Sequence, residues 1–346
     1  MVRPFLCAAG TFLPVFLAIV FDGGLSYAAN PPSDKPAVGR PVVLDTDLCD
    51  DIDDTWAISL LLQSPELDCK LITAAVGNTE AKAKVVAKFL DRVGRTDIAV
   101  GIGIKQRDGS HQQTGWADDY DLASYPGKVH KDGVQALIDT IMNSPTRITL
   151  IAIGPLPNVA EALKREPRIA GKADFVGMYG SVYLGYGGRD KPDAEYNVKQ
   201  DVEAAKRVFA APWPMTITPL DTCGLVDLEG ENYQKVLRRN SAITSNLLQN
   251  YRVWYKEGLR PRKELDEPNL NRLVNDKLSH SSTTLFDTVA IYLAVSKDLV
   301  VMERVPLRIT DDGFTRVENG AKTVDCAVKW KNLDGYESWL ADRLAK

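Results

Sequence analysis

Six aspartates fall within the ten residues from Asp45 to Asp54. The stretch reads Asp45-Thr46-Asp47-Leu48-Cys49-Asp50-Asp51-Ile52-Asp53-Asp54, behind the apolar run Pro41-Val42-Val43-Leu44 and ahead of Ala57-Ile58 and Leu60-Leu61-Leu62. A short β-branched run, then acids, then helical periodicity reads as a strand, a loop and a helix start. Six carboxylates on one tight loop repel one another unless a cation neutralises them, and hard oxygen donors suit Ca²⁺ or Mg²⁺. A solvated loop with an Asp helix cap accounts for one or two of these residues and leaves the others unexplained.

The 346 residues are enough for one large domain or two small ones. A formal charge of −4 and the lack of any basic run disfavour nucleic acid, other polyanions and anionic lipid as partners. Residues 1–28 read as a signal peptide: Arg3 precedes an apolar stretch from Phe5 to Phe21, and Ser26-Tyr27-Ala28 supplies small residues around a cleavage point. An uncleaved anchor is the rival reading, but Asp22, Gly23, Gly24 and the following Ala-Asn-Pro-Pro favour cleavage. Residues 29–39 read as a flexible leader, and 40–346 as a single domain. The expected protein is therefore periplasmic or secreted, with no stable membrane association after cleavage. Cys49, Cys69, Cys223 and Cys326 show no CxxC spacing; no pairing follows from them, and zinc is disfavoured.

Strand-like and helix-like segments alternate along the chain. Leu71–Val76, Ile98–Val100, Ile148–Ile153, Phe175–Met178 and Met215–Thr218 read as strands, with Val324–Trp330 as a late one. Ala81–Val93, Val134–Met142, Asn158–Leu163 and Val202–Phe209 read as helices, followed by Tyr233–Tyr255, Phe286–Ala294 and Tyr336–Leu344. This rhythm predicts an α/β fold: a mostly parallel central sheet with helices on both faces, Rossmann-like, plus a helical C-terminal region over the cleft. Such sheets bind ligands at the carboxyl ends of their strands, where the acidic loop lies.

Five further segments follow the acidic loop in order. They are Gly77-Asn78, Ile153-Gly154-Pro155-Leu156-Pro157-Asn158, Met178-Tyr179-Gly180, Ala194-Glu195-Tyr196-Asn197 and Phe286-Asp287-Thr288-Val289-Ala290. Together with the loop they resemble the nucleoside hydrolases, the inosine–uridine-preferring N-ribohydrolase family, over about residues 40 to 300. The resemblance implies hydrolysis of the N-glycosidic bond of a ribonucleoside, or a related ribosyl compound, to ribose and free base. It implies Ca²⁺, with Mg²⁺ less favoured, held by Asp47, Asp54, the Ile153 carbonyl and Asp287. Asp47 would be the general base. Asp53, Asn78, Met178, Glu195 and Asn197 would contact the substrate, and His130 would lie near the base pocket. Homo-oligomers are usual in such families.

The chain also departs from the pattern. Five residues, Leu48 to Ile52, separate Asp47 from the closing Asp53-Asp54 pair where three are usual. Asp51 belongs to this extra length, either in the metal shell or orienting a neighbour. Phe286 stands where many members have a histidine proposed to protonate the base, and Arg189 where a sugar-binding asparagine is usual. Asn158 reads as a helix cap, and Trp116, Tyr183, Tyr186 and Trp254 are candidates to stack on a base. Two other classes compete. One is an exported nucleoside- or ribose-binding protein that retains the contacts with little or no turnover. The other is a haloacid-dehalogenase-like phosphohydrolase with Asp45 as nucleophile and Mg²⁺ as metal. An EF-hand fails, because its sixth position would be Asp50 and its twelfth Trp56.

Overall fold

Ten strands form one sheet in the order β4-β3-β2-β1-β5-β6-β7-β10-β8-β9. They are β1 Arg40–Thr46, β2 Leu67–Ala74, β3 Ala99–Ile102, β4 Val129–His130, β5 Ile148–Ala152, β6 Ala173–Met178, β7 Met215–Thr218, β8 Val300–Ile309, β9 Thr315–Val317 and β10 Thr323–Trp330. Neighbours from β4 through β7, and β7 with β10, run parallel. Only β10–β8 and β8–β9 are antiparallel. The computed structural model describes residues 39–106, 108, 111–261 and 265–346, and the part from Val38 to Lys346 is one compact unit. The expected signal peptide, and all of the leader but Gly39, lie outside the described residues. No helix among the described residues is long and apolar enough to cross a membrane.

Side-chain alternation along the strands builds two cores. On β1, Val42 and Leu44 pack on one face with the helices Asp53–Leu62, Thr79–Arg92 and Thr288–Val295, while Val43 packs on the other. That second face is covered by Gly133–Met142, Pro157–Arg165 and Val202–Ala210. A strand buried on both faces must be apolar at consecutive positions, and Val42-Val43-Leu44 is. The α/β architecture with helices on both faces is the one the sequence predicts.

Two elements differ from expectation. Tyr233–Tyr255 is not one helix but parts of two, Gly230–Arg239 and Ala242–Leu259. Asn240 between them is left-handed (φ 48°), and Ser241 opens the second helix with a reciprocal capping box to Thr244. The antiparallel β8–β9 pair was not foreseen, because its charged Glu303, Arg304, Arg308 and Arg316 interrupt the apolar pattern at the sheet edge. The helical C-terminal region does reach the cleft: the Trp254 indole N–H donates to the Asp50 carbonyl at 3.4 Å.

Candidate active site

The carboxyl ends of adjacent strands converge on a cavity of about 410 Å³. Asp47 follows β1, Ile153 follows β5, and Met178 ends β6. Asp53 and Asp54 form the first turn of the helix Asp53–Leu62, and Asp287 directly precedes the helix Thr288–Val295, which packs against it. Two helix N-termini thus bring carboxylates together where their dipoles favour negative charge. Asp50, Asp51, Tyr186, Glu195, Tyr196, Asn197 and Phe286 complete the lining.

One carboxylate oxygen each from Asp53, Asp54 and Asp287 lies within 4.8 Å of the others, and all three side chains are buried. Asp53 Oδ2 accepts the Asp287 backbone N–H at 3.2 Å, and Asp54 accepts the Thr46 hydroxyl. Burial pushes all three carboxyls well above the ordinary range, and their neighbours' charges add to it: Asp51 for Asp53, Asp47 and Asp53 for Asp54, Asp53 and Asp54 for Asp287. Burial also lifts Asp47 to about 7 against the opposing pull of Lys82, Asp51 to about 6 and Glu195 to about 7. Among the described residues, no lysine, arginine or histidine forms an ion pair with the three clustered carboxylates. Such an all-oxygen, charge-dense and buried donor set fits a hard divalent cation.

A second layer fixes this arrangement. An added Cβ at Gly154 would lie 2.5 Å from Asp47 Oδ1 and 2.7 Å from its backbone nitrogen, so only glycine lets the β1 and β5 ends approach this closely. Lys82, fully buried, donates to the Asp47 carbonyl at 2.7 Å and pairs with Asp50 at 3.0 Å. His111 Nδ1 lies 2.6 Å from the other Asp50 oxygen, and its Nε2 accepts the Asn78 N–H at 3.1 Å. Burial pushes the Asp50 carboxyl up, but His111 and Lys82 together outweigh it and hold the group below its ordinary range. Asp50, in the lengthened loop, is therefore neutralised from beneath by the chain itself. Asp45 is buried off the cavity wall and accepts the Thr73 hydroxyl and, at 2.9 Å, the Asn158 amide. Asp221 gathers the N–H groups of Val182, Tyr183 and Leu184 at 2.8, 2.7 and 3.1 Å, fixing the loop after β6.

Of the residues singled out in the sequence, Asp47, Asp51, Asp53, Asp54, Ile153, Met178, Glu195, Asn197 and Asp287 all line the cavity. One grouping was not expected. Asp53, expected at the sugar, stands in the carboxylate cluster with Asp54 and Asp287, which Asp47 and Asp51 do not join. Asp51 Oδ1 accepts the Ile52 N–H at 2.6 Å. The Asn197 amide donates to the carbonyls of Ile153 and Met178, each at 3.1 Å. Glu195 caps the helix Tyr196–Gln200, accepting the N–H groups of Asn197 and Val198.

Other expectations are corrected. His130 sits on β4, the edge strand, separated from β1 by β2 and β3, and does not line the cavity. Asn78 lies beyond the end of β2, but its side chain caps the helix Thr79–Arg92 and is not among the lining residues. Asn158 is a brace rather than a cap: its amide also reaches the Ala74 carbonyl, and its oxygen accepts the Ile104 N–H. Arg189 is exposed and pairs with Asp193 at 2.6 Å, away from the cavity lining. Of the four stacking candidates only Tyr186 faces the cavity. The burial of Asp45 removes the phosphohydrolase reading, since a nucleophile must reach its substrate. All four described cysteines are free and buried. Sequence reasoning missed Lys82, His111, Gly154, Asp221 and Tyr196; only Gly154 and Tyr196, each inside a recognised segment, carried a local signal.

The raised carboxyls set a pH dependence for the metal-free protein. A carboxyl lifted in the fold contributes stability that is complete below its unfolded value and is lost as pH rises through its folded value. For Asp45 and Asp51 that window runs from 3.8 to about 6, for Asp47 from 3.8 to about 7, and for Glu195 from 4.5 to about 7. Calorimetry of chelator-treated protein is expected to give a higher Tm at pH 5.5 than at pH 8, and added Ca²⁺ to reverse that order. A chelated Tm that rises with pH across this range would contradict it.

Residues 42–337 match the family described as inosine-uridine preferring nucleoside hydrolase. The chain is 36% identical over 199 residues to the inosine-uridine preferring nucleoside hydrolase of Leishmania major, covering 53% of this chain and 60% of that protein. It is 29% identical over 235 residues to a pyrimidine-specific ribonucleoside hydrolase of Photobacterium profundum, covering 64% of this chain and 74% of that protein. A solved plant nucleoside hydrolase superposes with a TM-score of 0.71 at 23% identity, covering 88% of this chain and 99% of the other, which supports the fold. With a family match spanning most of its length, the chain belongs to the inosine-uridine preferring nucleoside hydrolases, hydrolases of the N-glycosidic bond of ribonucleosides.

Proposed function

We propose that this protein hydrolyses the N-glycosidic bond of a ribosyl compound to ribose and free base, with Asp47 as general base and Ca²⁺, rather than Mg²⁺, as its ion. The observation that carries this reading is the convergence of Asp47 and the buried Asp53-Asp54-Asp287 cluster on one cavity. Asp54 and Asp287, with Asp53 beside them, would hold the cation; Asp47 and Ile153 line the same cavity and would supply further oxygens. When bound, a divalent cation supplies Lewis-acid polarisation and a fixed orientation for water and the sugar diol.

The chain's own groups account for the rest of the chemistry. Burial lifts the Asp47 carboxyl in the metal-free protein; with the cation bound it is the carboxylate that would take a proton from water. Cleavage develops oxocarbenium-like positive charge on the sugar, and the surrounding carboxylates stabilise it. The Asn197 amide hydrogens are committed to backbone carbonyls, which leaves its oxygen to accept a sugar hydroxyl. Glu195, anchored by the N–H groups of Gly180, Asn197 and Val198, retains lone pairs for another. The carboxylates that dominate the described lining repel a 5′-phosphate, so nucleosides are favoured over nucleotides.

Reducing-sugar release from purine and pyrimidine ribonucleosides and from nitrophenyl riboside is expected with Ca²⁺ and not with chelator. Asp47→Asn should keep the fold and lose about 10²–10⁴-fold in kcat, while Asp54→Asn should lose metal binding. Gly154→Ala, by displacing Asp47, should lose about 100-fold in kcat/KM with an unchanged circular dichroism spectrum. Turnover that persists in chelator, or in Asp54→Asn, would sink the assignment. Ligand binding without any turnover would favour a binding protein instead.

A further inference from the structure

The cavity is chemically one-sided. Seven of its thirteen lining residues are Asp or Glu, and Met178, Tyr186, Tyr196 and Phe286 form its apolar part. No ammonium, guanidinium or imidazole is found among the described lining residues. Phe286 packs edge-on against Tyr186 with ring centroids 6.1 Å apart, and the Tyr186 oxygen accepts the Tyr196 N–H at 2.9 Å.

A neutral purine or pyrimidine must depart as an anion unless a proton reaches it, and an anion is poorly served by a ring of carboxylates. With a cation bound, which displaces protons from the raised carboxyls, the described lining is also a poor source of that proton. Phe286 has none to give, and a phenol, with an ordinary pKa of about 10, is a weak acid at neutral pH. The carboxyls outside the metal cluster act as acceptors in the structure. Glu195 takes three backbone N–H groups, Asp51 takes that of Ile52, and Asp50 is bound by Lys82 and His111.

We propose that the substrates this site is built for are ribosyl compounds whose heterocycle already carries a positive charge: N-ribosylpyridinium compounds or N7-alkylated purine ribonucleosides. This rests on the N-ribohydrolase reading and narrows its substrate class. In the reaction, the C1′–N bond breaks and its electron pair passes to the ring nitrogen, so the ring leaves neutral. The water oxygen bonds to C1′, and one water proton passes to Asp47 and then to solvent. No proton has to reach the base.

The two features of the cavity contribute at different stages. Positive charge is present on the ring before cleavage and on the sugar in the transition state, so the carboxylates attract it throughout. That uniform attraction lowers KM. The tyrosine and phenylalanine faces add a cation–π surface for the charged ring. Dispensing with protonation raises kcat.

The test compares N7-methylguanosine with guanosine, which differ by one methyl group and one charge, and adds nitrophenyl riboside, a neutral substrate whose leaving group needs no proton. With the Ca²⁺-loaded protein, kcat/KM for N7-methylguanosine is expected to exceed that for guanosine by at least about 100-fold, the contribution a positioned acid makes. Part of any such ratio is the intrinsic lability of the methylated base, so Phe286→His provides the control. Placing an imidazole there should raise guanosine turnover and shrink the ratio at least about tenfold. A native ratio below about 100-fold, or one that Phe286→His leaves unchanged, overturns this proposal alone if nitrophenyl riboside is cleaved. Failure to cleave any of the three substrates overturns the hydrolase reading with it.

Discussion

Repulsion among buried carboxylates is the constraint on which the rest of this structure depends. Asp53, Asp54 and Asp287 face one another in a space from which water is largely withdrawn, and Asp47 and Glu195 stand on the same cavity wall. Removing one carboxylate from water is expensive; bringing several together without a counter-charge is more so. The chain relieves the repulsion only in part. Two helix N-termini direct their dipoles at the cluster, the Thr46 hydroxyl reaches Asp54, and Lys82 lies under Asp47 and Asp50. The remaining imbalance is what a divalent cation offsets, and the same negative field suits a reaction that develops positive charge on a sugar.

Most of the architecture around the cluster maintains this geometry. Parallel strands deliver Asp47, Ile153 and Met178 side by side because β1, β5 and β6 are sheet neighbours. Gly154 allows β5 to approach Asp47, and Asn158 ties Asp45 to the ends of neighbouring strands through Ala74 and Ile104. Asp221 holds the loop after β6 by three backbone N–H groups. None of these residues needs to touch a substrate. Their effect is to hold the groups that do within the narrow tolerance that catalysis requires.

The parts of this design legible in the sequence are those encoded locally. Val42-Val43-Leu44, followed by acids and a helical pattern, announces a buried parallel strand ending in a site, and the structure has that strand. Asp54, Glu195, Asn197 and Asp287 were found because each lies in a short segment of recognisable composition. Partnerships that bridge long stretches of chain were not legible. Lys82 meets Asp47 across 35 residues and His111 meets Asn78 across 33, and nothing near either residue signals the other. Asn158 looked like a helix cap because it follows a turn and precedes an apolar run; only the folded sheet shows that its amide points at Asp45. His130 misled for the converse reason. Its local segment resembled a pocket residue's, whereas strand order places it at the sheet edge.

A cation that relieves repulsion among raised carboxyls must displace protons from them as it binds. The most direct test is calorimetric titration of Ca²⁺ into metal-free protein at pH 6.5, repeated in two buffers of different ionisation enthalpy. One ion per chain is the predicted stoichiometry, with a heat that depends on the buffer in the sense of net proton release. No binding, or binding whose heat is the same in both buffers, would contradict the claim that this cluster exists to hold a metal.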